Sequence, residues 1–315
     1  MSKKIKHVFI TFALATVVAF SAAVSACTIK TKHPRAEITV EFNDVTYKIE
    51  YTLYRNMYPN TVQHFIELAD SGYYNNMIVH NYTGTEWYTG GYSYEDADEH
   101  YAYTTAYENG DMTDYLNEYS KEQGYYDLAA NGTLTPTVYK QIAYNDKGDE
   151  VIRAEDALPT LIGEFTANDH NITSGALTAD YGVLKMFYYD KGETYQKVAI
   201  KNSFDQILEH DYKYNAATSI FTIQTSENSG QGANNYAIFA RLKDDKQADK
   251  LDDLIEAIAD YQDGTTTANG NFTTSVNTSV DKLDSFAEDS GRNISYNFNM
   301  TSLPIIIRAV RITGY

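Results

Sequence analysis

Residues Pro59–Tyr74, PNTVQHFIELADSGYY, carry the reading from which the fold follows. Pro59 and Asn60 open a helix predicted over Thr61–Ser71, because a proline fits the first helical turn, where backbone N–H groups have no intrahelical partner. Val62, Phe65, Ile66 and Ala69 then fall on one face at three- and four-residue steps, and Gly72 stops the helix. Immediately upstream, Glu37–Phe42 and Tyr47–Leu53 alternate apolar and polar residues with Asn43 and Asp44 between them, which predicts an antiparallel hairpin.

Farther along, Leu251, Leu254, Ile255 and Ile258 sit at helical spacing within Lys250–Tyr261, and Leu303–Ile312 reads as a buried closing strand. Gly264–Ser279 is a Thr/Asn-rich loop or pair of short strands. Two sections look like additions to a core: Tyr92–Thr160, rich in Tyr, Glu, Asp and Asn, and Tyr181–Ala217, which mixes strand-like and helix-like pieces. No internal repeat stands out.

In this order the elements resemble the cyclophilin-type peptidyl-prolyl cis-trans isomerases. Tyr47–Gly91 is similar to the amino-terminal half of that family: a strand, Pro59-Asn60-Thr61-Val62, Phe65-Ile66-Glu67-Leu68, Gly72-Tyr73-Tyr74, then His80 and, ten residues on, Gly90-Gly91. Gly163-Glu164-Phe165, Gly175-Ala176-Leu177-Thr178, Phe221-Thr222-Ile223, Phe239-Ala240-Arg241-Leu242 and Leu303-Pro304-Ile305-Ile306-Ile307 resemble its later blocks in sequence order. The resemblance implies a mostly β fold: a closed eight-stranded antiparallel barrel capped by two helices, here with two large insertions, at about 92–160 and 181–217. Closure leaves no exposed strand edge.

The chemistry implied needs no cofactor, nucleophile or metal. Rotating a peptide bond costs about 18–20 kcal/mol because resonance is broken. An apolar pocket grips the proline ring, and a cationic donor hydrogen-bonds the prolyl nitrogen as it pyramidalises, an interaction stronger in the twisted state than in the planar one. In the family that donor is the arginine after the histidine; here the position is Asn81. The same gap-free register puts Glu86 and Trp87 at the family's pocket positions and Thr89 at its backbone-holding glutamine, and the later blocks of the resemblance imply Asp180 and Thr222 at further groove positions and Tyr236 at the rim. Loss of the guanidinium is expected to cost about one to three orders of magnitude in rate. Arg153, in the first added section, is the alternative cation, delivered from outside the barrel, against its plain reading as a surface arginine. Trp87 reads either as a stacking platform or as a core residue, and His80 as a structural strand residue.

The amino terminus addresses location. Lys3, Lys4 and Lys6 precede an uncharged run from Val8 to Val24, and Ser25-Ala26 lead into Cys27, the single cysteine of the chain. This reads as a secretory signal over residues 1–26 ending at a lipidated Cys27, with Val24-Ser25-Ala26-Cys27 resembling a bacterial lipobox; the competing reading is a transmembrane helix. Residues 27–36 then form a lipid-attached tether and 37–315 the domain. One thiol supports no disulfide framework.

The formal charge of the chain is −18, and without the three leader lysines −21, with no basic stripe to release phosphate counterions, so nucleic acid is excluded as a partner. Attachment to the membrane accordingly rests on the lipid. The 29 tyrosines read first as sheet and surface chemistry and second as an aromatic binding surface. The histidines show no zinc spacing, and the runs Glu95–Glu99 and Asp244-Asp245 lack a calcium-loop pattern. The expectation is a membrane-anchored, extracytoplasmic prolyl isomerase acting on proline-containing segments of secreted proteins, with weak or lost activity; the alternative is a non-catalytic lipoprotein of the same fold that binds peptides or proteins.

Overall fold

The predicted hairpin is Arg35–Phe42 (β1) and Val45–Leu53 (β2), paired residue for residue from Arg35–Thr52 to Phe42–Val45. Its two-residue turn places Asn43 at φ 49° and Asp44 at φ 62°. Both central residues are left-handed, the geometry of the turn whose twist matches that of the strands, and Asn and Asp tolerate it best after glycine. The molecule is described from a computed structural model, covering residues 33–96, 102–121, 125, 127–128, 131–135, 138–144, 147, 150–152, 161, 163–164, 170, 172, 177–187, 196–201, 206–211, 219–227, 237–266, 271–279 and 295–315.

After the hairpin come a helix, Pro59–Asp70 (α1), and the strands Met77–Tyr82 (β3) and Glu86–Ser93 (β4). Two short helices, Tyr103–Asn109 (α2) and Met112–Glu118 (α3), precede Val138–Tyr144 (β5) and Glu150–Ile152 (β6). Then follow Leu184–Met186 (β7), Gln196–Lys201 (β8), Ile207–Asp211 (β9), Phe221–Gln224 (β10), Ala237–Leu242 (β11), the helix Asp245–Thr266 (α4), Thr273–Ser279 (β12), Ser295–Thr301 (β13) and Ile306–Gly314 (β14). Eight strands close in the order β1–β14–β3–β4–β10–β7–β11–β2, all neighbours antiparallel, so the expected closed barrel is present.

Alternation decides what fills it. Ile38, Val40 and Phe42 of β1, Ile49, Tyr51 and Leu53 of β2, and Phe221 and Ile223 of β10 point inward and are fully buried. The stripe of α1 plugs one mouth, with the Phe65 ring 5.1–5.3 Å from those of Tyr74, Phe221 and Phe239. Leu251, Leu254 and Ile258 of α4 plug the other, where Tyr261 meets Phe42 edge-on at 5.6 Å. The Gly-Glu block contributes across sequence: Glu164 accepts from the backbone N–H groups of Asn60 (3.0 Å) and Thr61 (2.8 Å), satisfying orphan donors at the start of α1. Burial raises the Glu164 carboxyl above its ordinary range, against the lowering effect of those bonds.

The structure departs from the sequence reading at two places. Leu184–Met186, placed in the second added section, is a barrel strand between β10 and β11; three residues with a lysine at the centre are too few for alternation to show. Among the described residues of Gly264–Ser279 the one strand is β12, and its partner is β13. The added sections also meet: β5 and β6 from the first and β8 and β9 from the second form one four-stranded sheet, joined by the antiparallel β5–β8 pair.

Candidate functional site

The outer face of β3, β4, β10 and β7 carries three of the residues singled out from sequence, Asn81, Glu86 and Thr222. On β10, Phe221 and Ile223 face the interior, so Thr222 faces out; on β7, Leu184 and Met186 face in and Lys185 faces out. Cross-strand partners share a face, and the register joins Asn81 to Tyr88, Tyr88 to Thr222 and Thr222 to Lys185. Asn81 joins this row through a register shift between Val79 and Asn81, where two β3 residues oppose one on β4. An extra residue of this kind re-aims the side chains beside it. Gly90 secures the neighbouring backbone: its φ is +94°, and a Cβ there would lie 2.5 Å from the Ser219 carbonyl oxygen.

An ion pair crosses this face. Lys185 Nζ lies 2.5 Å from Glu86 Oε2, and the Tyr88 hydroxyl donates to Glu86 Oε1 at 2.5 Å. Because Lys185 stands on β7 and Glu86 on β4, with β10 between them, the bridge spans β10 at Thr222. The Lys185 side chain is 2% exposed and that of Glu86 17%. Thr222 is buried beneath, its hydroxyl without a hydrogen-bond partner among the described residues. Gln224, next along β10, is fully buried, donating to the carbonyls of Thr85 and Ser226. A proline ring seeks an apolar hollow; here a charged bridge fills the space above the strand.

The Asn81 end of the row is closed by the chain's own strand. Asn81 Oδ1 accepts the backbone N–H of Asn299 in β13 at 3.0 Å. Beside it, the Phe298 ring packs edge-on against His80 (5.0 Å) and Tyr92 (6.1 Å), and the Tyr103 hydroxyl donates to the Thr301 carbonyl at 2.7 Å. Together Ile78, Tyr92 and Ile220 from the barrel, Tyr103, Met112, Tyr115 and Leu116 from α2 and α3, and Val276, Phe298 and Met300 from β12 and β13 make a second hydrophobic core outside the barrel. His80 lies within this cover, 1% exposed, and burial pushes its pKa down to about 3. The imidazole is therefore neutral at neutral pH.

Of the residues singled out from sequence, the fold brings Asn81, Glu86 and Thr222 to one face and sends others elsewhere. Trp87 is 2% exposed in the barrel interior, stacked on Tyr82 at 5.8 Å, and does not line the groove. Thr89 is also internal, its hydroxyl donating to the Ile78 carbonyl at 2.9 Å. The reason is parity: once Glu86 faces outward in a regular strand, Trp87 and Thr89 lie on the other side of it. Asp180 is exposed, holding Arg241 at 2.9 Å and accepting from Thr178, with no described contact to the row. Tyr236, Cys27 with its leader and Arg153 lie outside the described residues. Sequence reasoning missed Lys185, Tyr88 and Phe298. Only an uncharacteristic lysine between apolar residues hinted at the first.

Among the described residues no group of three or more His, Cys, Asp or Glu side chains could hold a metal ion, and no helix is long and apolar enough to cross a membrane. Residues 37–150 match the family model described as cyclophilin type peptidyl-prolyl cis-trans isomerase/CLD. Among solved structures, a Cryptosporidium parvum cyclophilin type peptidyl-prolyl cis-trans isomerase is 14% identical with a TM-score of 0.36, covering 90% of this chain and 99% of that one. The same parasite protein in the presence of the dipeptide Ala-Pro gives 13% and 0.35, covering 89% and 99%. The Mimivirus cyclophilin gives 13% and 0.31, covering 71% and 78%. No curated protein matches.

Proposed function

We propose that this chain is a cyclophilin-type barrel held at the outer face of a bacterial cell membrane by a lipid on Cys27, with prolyl isomerase activity that is vestigial. The observation that carries this reading is Asn81: a neutral amide stands where a cation is needed, and its oxygen is already occupied by the N–H of Asn299. The Lys185–Glu86 bridge over Thr222 supports it independently, since it puts a charged pair where an apolar pocket is needed. Losing one preorganised donor to a transition state costs about 2.7–4 kcal/mol, or two to three decades at about 1.36 kcal/mol each. The protein meets secreted chains, including their proline-containing segments, as a binding partner.

A protease-coupled or NMR exchange assay on a short Xaa-Pro peptide tests the catalytic part, comparing the chain with its Asn81→Arg variant. Turnover barely above the uncatalysed rate in the first, with little recovery in the second because the pocket is filled, is the expected pattern. Turnover at the level of an efficient isomerase in the unaltered chain refutes it. The anchor is read separately, by detergent phase partitioning of the chain and of Cys27→Ser: only the former is expected in the detergent phase.

A further inference from the structure

The barrel has two chemically different mouths, and the chain enters at only one of them. β1 begins at Arg35, paired with Thr52 of β2 and with Gly314 of β14, while the Pro34 carbonyl accepts the Leu53 N–H at 2.8 Å. This is the α1 mouth: the Tyr315 hydroxyl donates to Asp70 at the end of α1 at 2.7 Å. The α4 mouth lies at the far end of β1, around Phe42, where Lys250 Nζ donates to the Lys48 carbonyl at 2.8 Å. The seven steps of β1 from Arg35 to Phe42 span about 23 Å at roughly 3.3 Å per residue; α4 starts beside Glu50, whose N–H donates to Gln247 at 3.0 Å, and runs from there to Phe42, so its second half lies farthest from the entry point.

Their charges differ as much as their positions. α4 carries seven acidic residues against two lysines, and Asp249, Asp252, Asp253, Glu256, Asp260 and Asp263 are exposed. Around the entry point, Arg35, Arg55 and Arg311 offset Glu37, Glu67 and Asp70, and the Arg35 guanidinium lies beside Gly314. Tyr315, 38% exposed, adds an aromatic ring of the kind that settles at a lipid–water boundary.

Given an anchor at Cys27, we infer that the α1 mouth is the membrane-facing surface of the domain and that α4 is held pointing into the medium. This rests on the lipid anchor proposed above. The eight residues Thr28–Arg35 reach at most about 26–29 Å, so the α1 mouth stays within that distance of the surface. An anionic leaflet repels the acidic α4, and repulsion of this kind acts within about a Debye length of roughly 8 Å at physiological salt. It therefore disfavours poses that bring α4 down to the lipid and leaves the near-neutral mouth as the one that approaches. Each basic side chain at an anionic surface is worth about a fivefold change in affinity, so Arg35 and Arg311 favour the same pose.

The test uses the full chain, purified from membranes and reconstituted in vesicles of anionic phospholipid, with the photo-crosslinking residue benzoylphenylalanine in place of either Thr313, exposed near the entry point, or Asp260, exposed on α4. Crosslinking to lipid is expected several-fold stronger from position 313 than from 260, with the ratio falling in Arg35→Glu/Arg311→Glu and in neutral vesicles. Equal crosslinking, or more from 260, in protein that floats with the vesicles overturns the orientation while leaving the anchor intact. Failure to float, in a chain that behaves like Cys27→Ser, removes the anchor and the orientation with it.

Discussion

Protonating His80 is the most direct way to challenge the outer cover of the barrel. The imidazole is 1% exposed, with Nδ1 unpartnered among the described residues and its ring 5.0 Å from both Tyr92 and Phe298. Burial takes its pKa from 6.5 to about 3. Between those values the unfolded chain binds a proton that the folded chain refuses, so stability is fully present above about 6.5 and falls as the pH drops toward 3. At about 1.36 kcal/mol per unit, the loss from pH 6.5 to 4.5 is about 2 kcal/mol, a large share of the roughly 5–15 kcal/mol that typically holds a domain together. Urea unfolding followed by the fluorescence of Trp87, the only tryptophan, measures it at both pH values in the unaltered chain and in His80→Gln. The carboxylates titrate alike in the two proteins, so the difference between their pH slopes isolates the histidine. The unaltered chain is expected to lose about 2 kcal/mol more than the variant over this range. Parallel slopes refute the buried neutral imidazole and, with it, the packing of β13 on β3.

Three further perturbations probe the barrel and its charged face. Lys185→Met alone strands Glu86 beside a dry neighbour and is expected to cost about 3–5 kcal/mol, whereas Lys185→Met/Glu86→Leu recovers most of it; the double-mutant cycle is read from chemical denaturation. Gly90→Ala forces a Cβ to within 2.5 Å of the Ser219 carbonyl at φ +94°, so a loss above about 1 kcal/mol is expected in thermal unfolding. Glu164→Ala leaves two N–H groups at the start of α1 without their acceptor, and a loss of about 1–2 kcal/mol, with faster amide exchange at Asn60 and Thr61, is expected by NMR.

Legibility in the sequence followed the range of the interaction that fixed each feature. The β1–β2 turn and α1 rest on residues within a few positions of one another, Asn43-Asp44 and Pro59 to Gly72, and both were readable. β7 was not, because three residues hold no period and its place depends on β10 and β11 pairing on either side. The site divides in the same way. That an asparagine follows His80, ten residues before Gly90-Gly91, was legible, but which side of the sheet Trp87 and Thr89 occupy depends on strand parity beyond the register shift at Val79–Asn81.

By itself the sequence determined the β1–β2 hairpin, α1 and the core face of α4, a strongly acidic body, and the absence of an arginine after His80, since each is a property of local pattern or composition. Tertiary structure alone decided that Lys185 and Glu86 meet above Thr222, that Asn299 takes the oxygen of Asn81, and that the two added sections share a sheet. Those contacts join residues from about fifty to more than two hundred positions apart; barrel closure and the packing of the second core on its outside bring the first two into reach and the β5–β8 pairing makes the third, and no spacing along the chain encodes them.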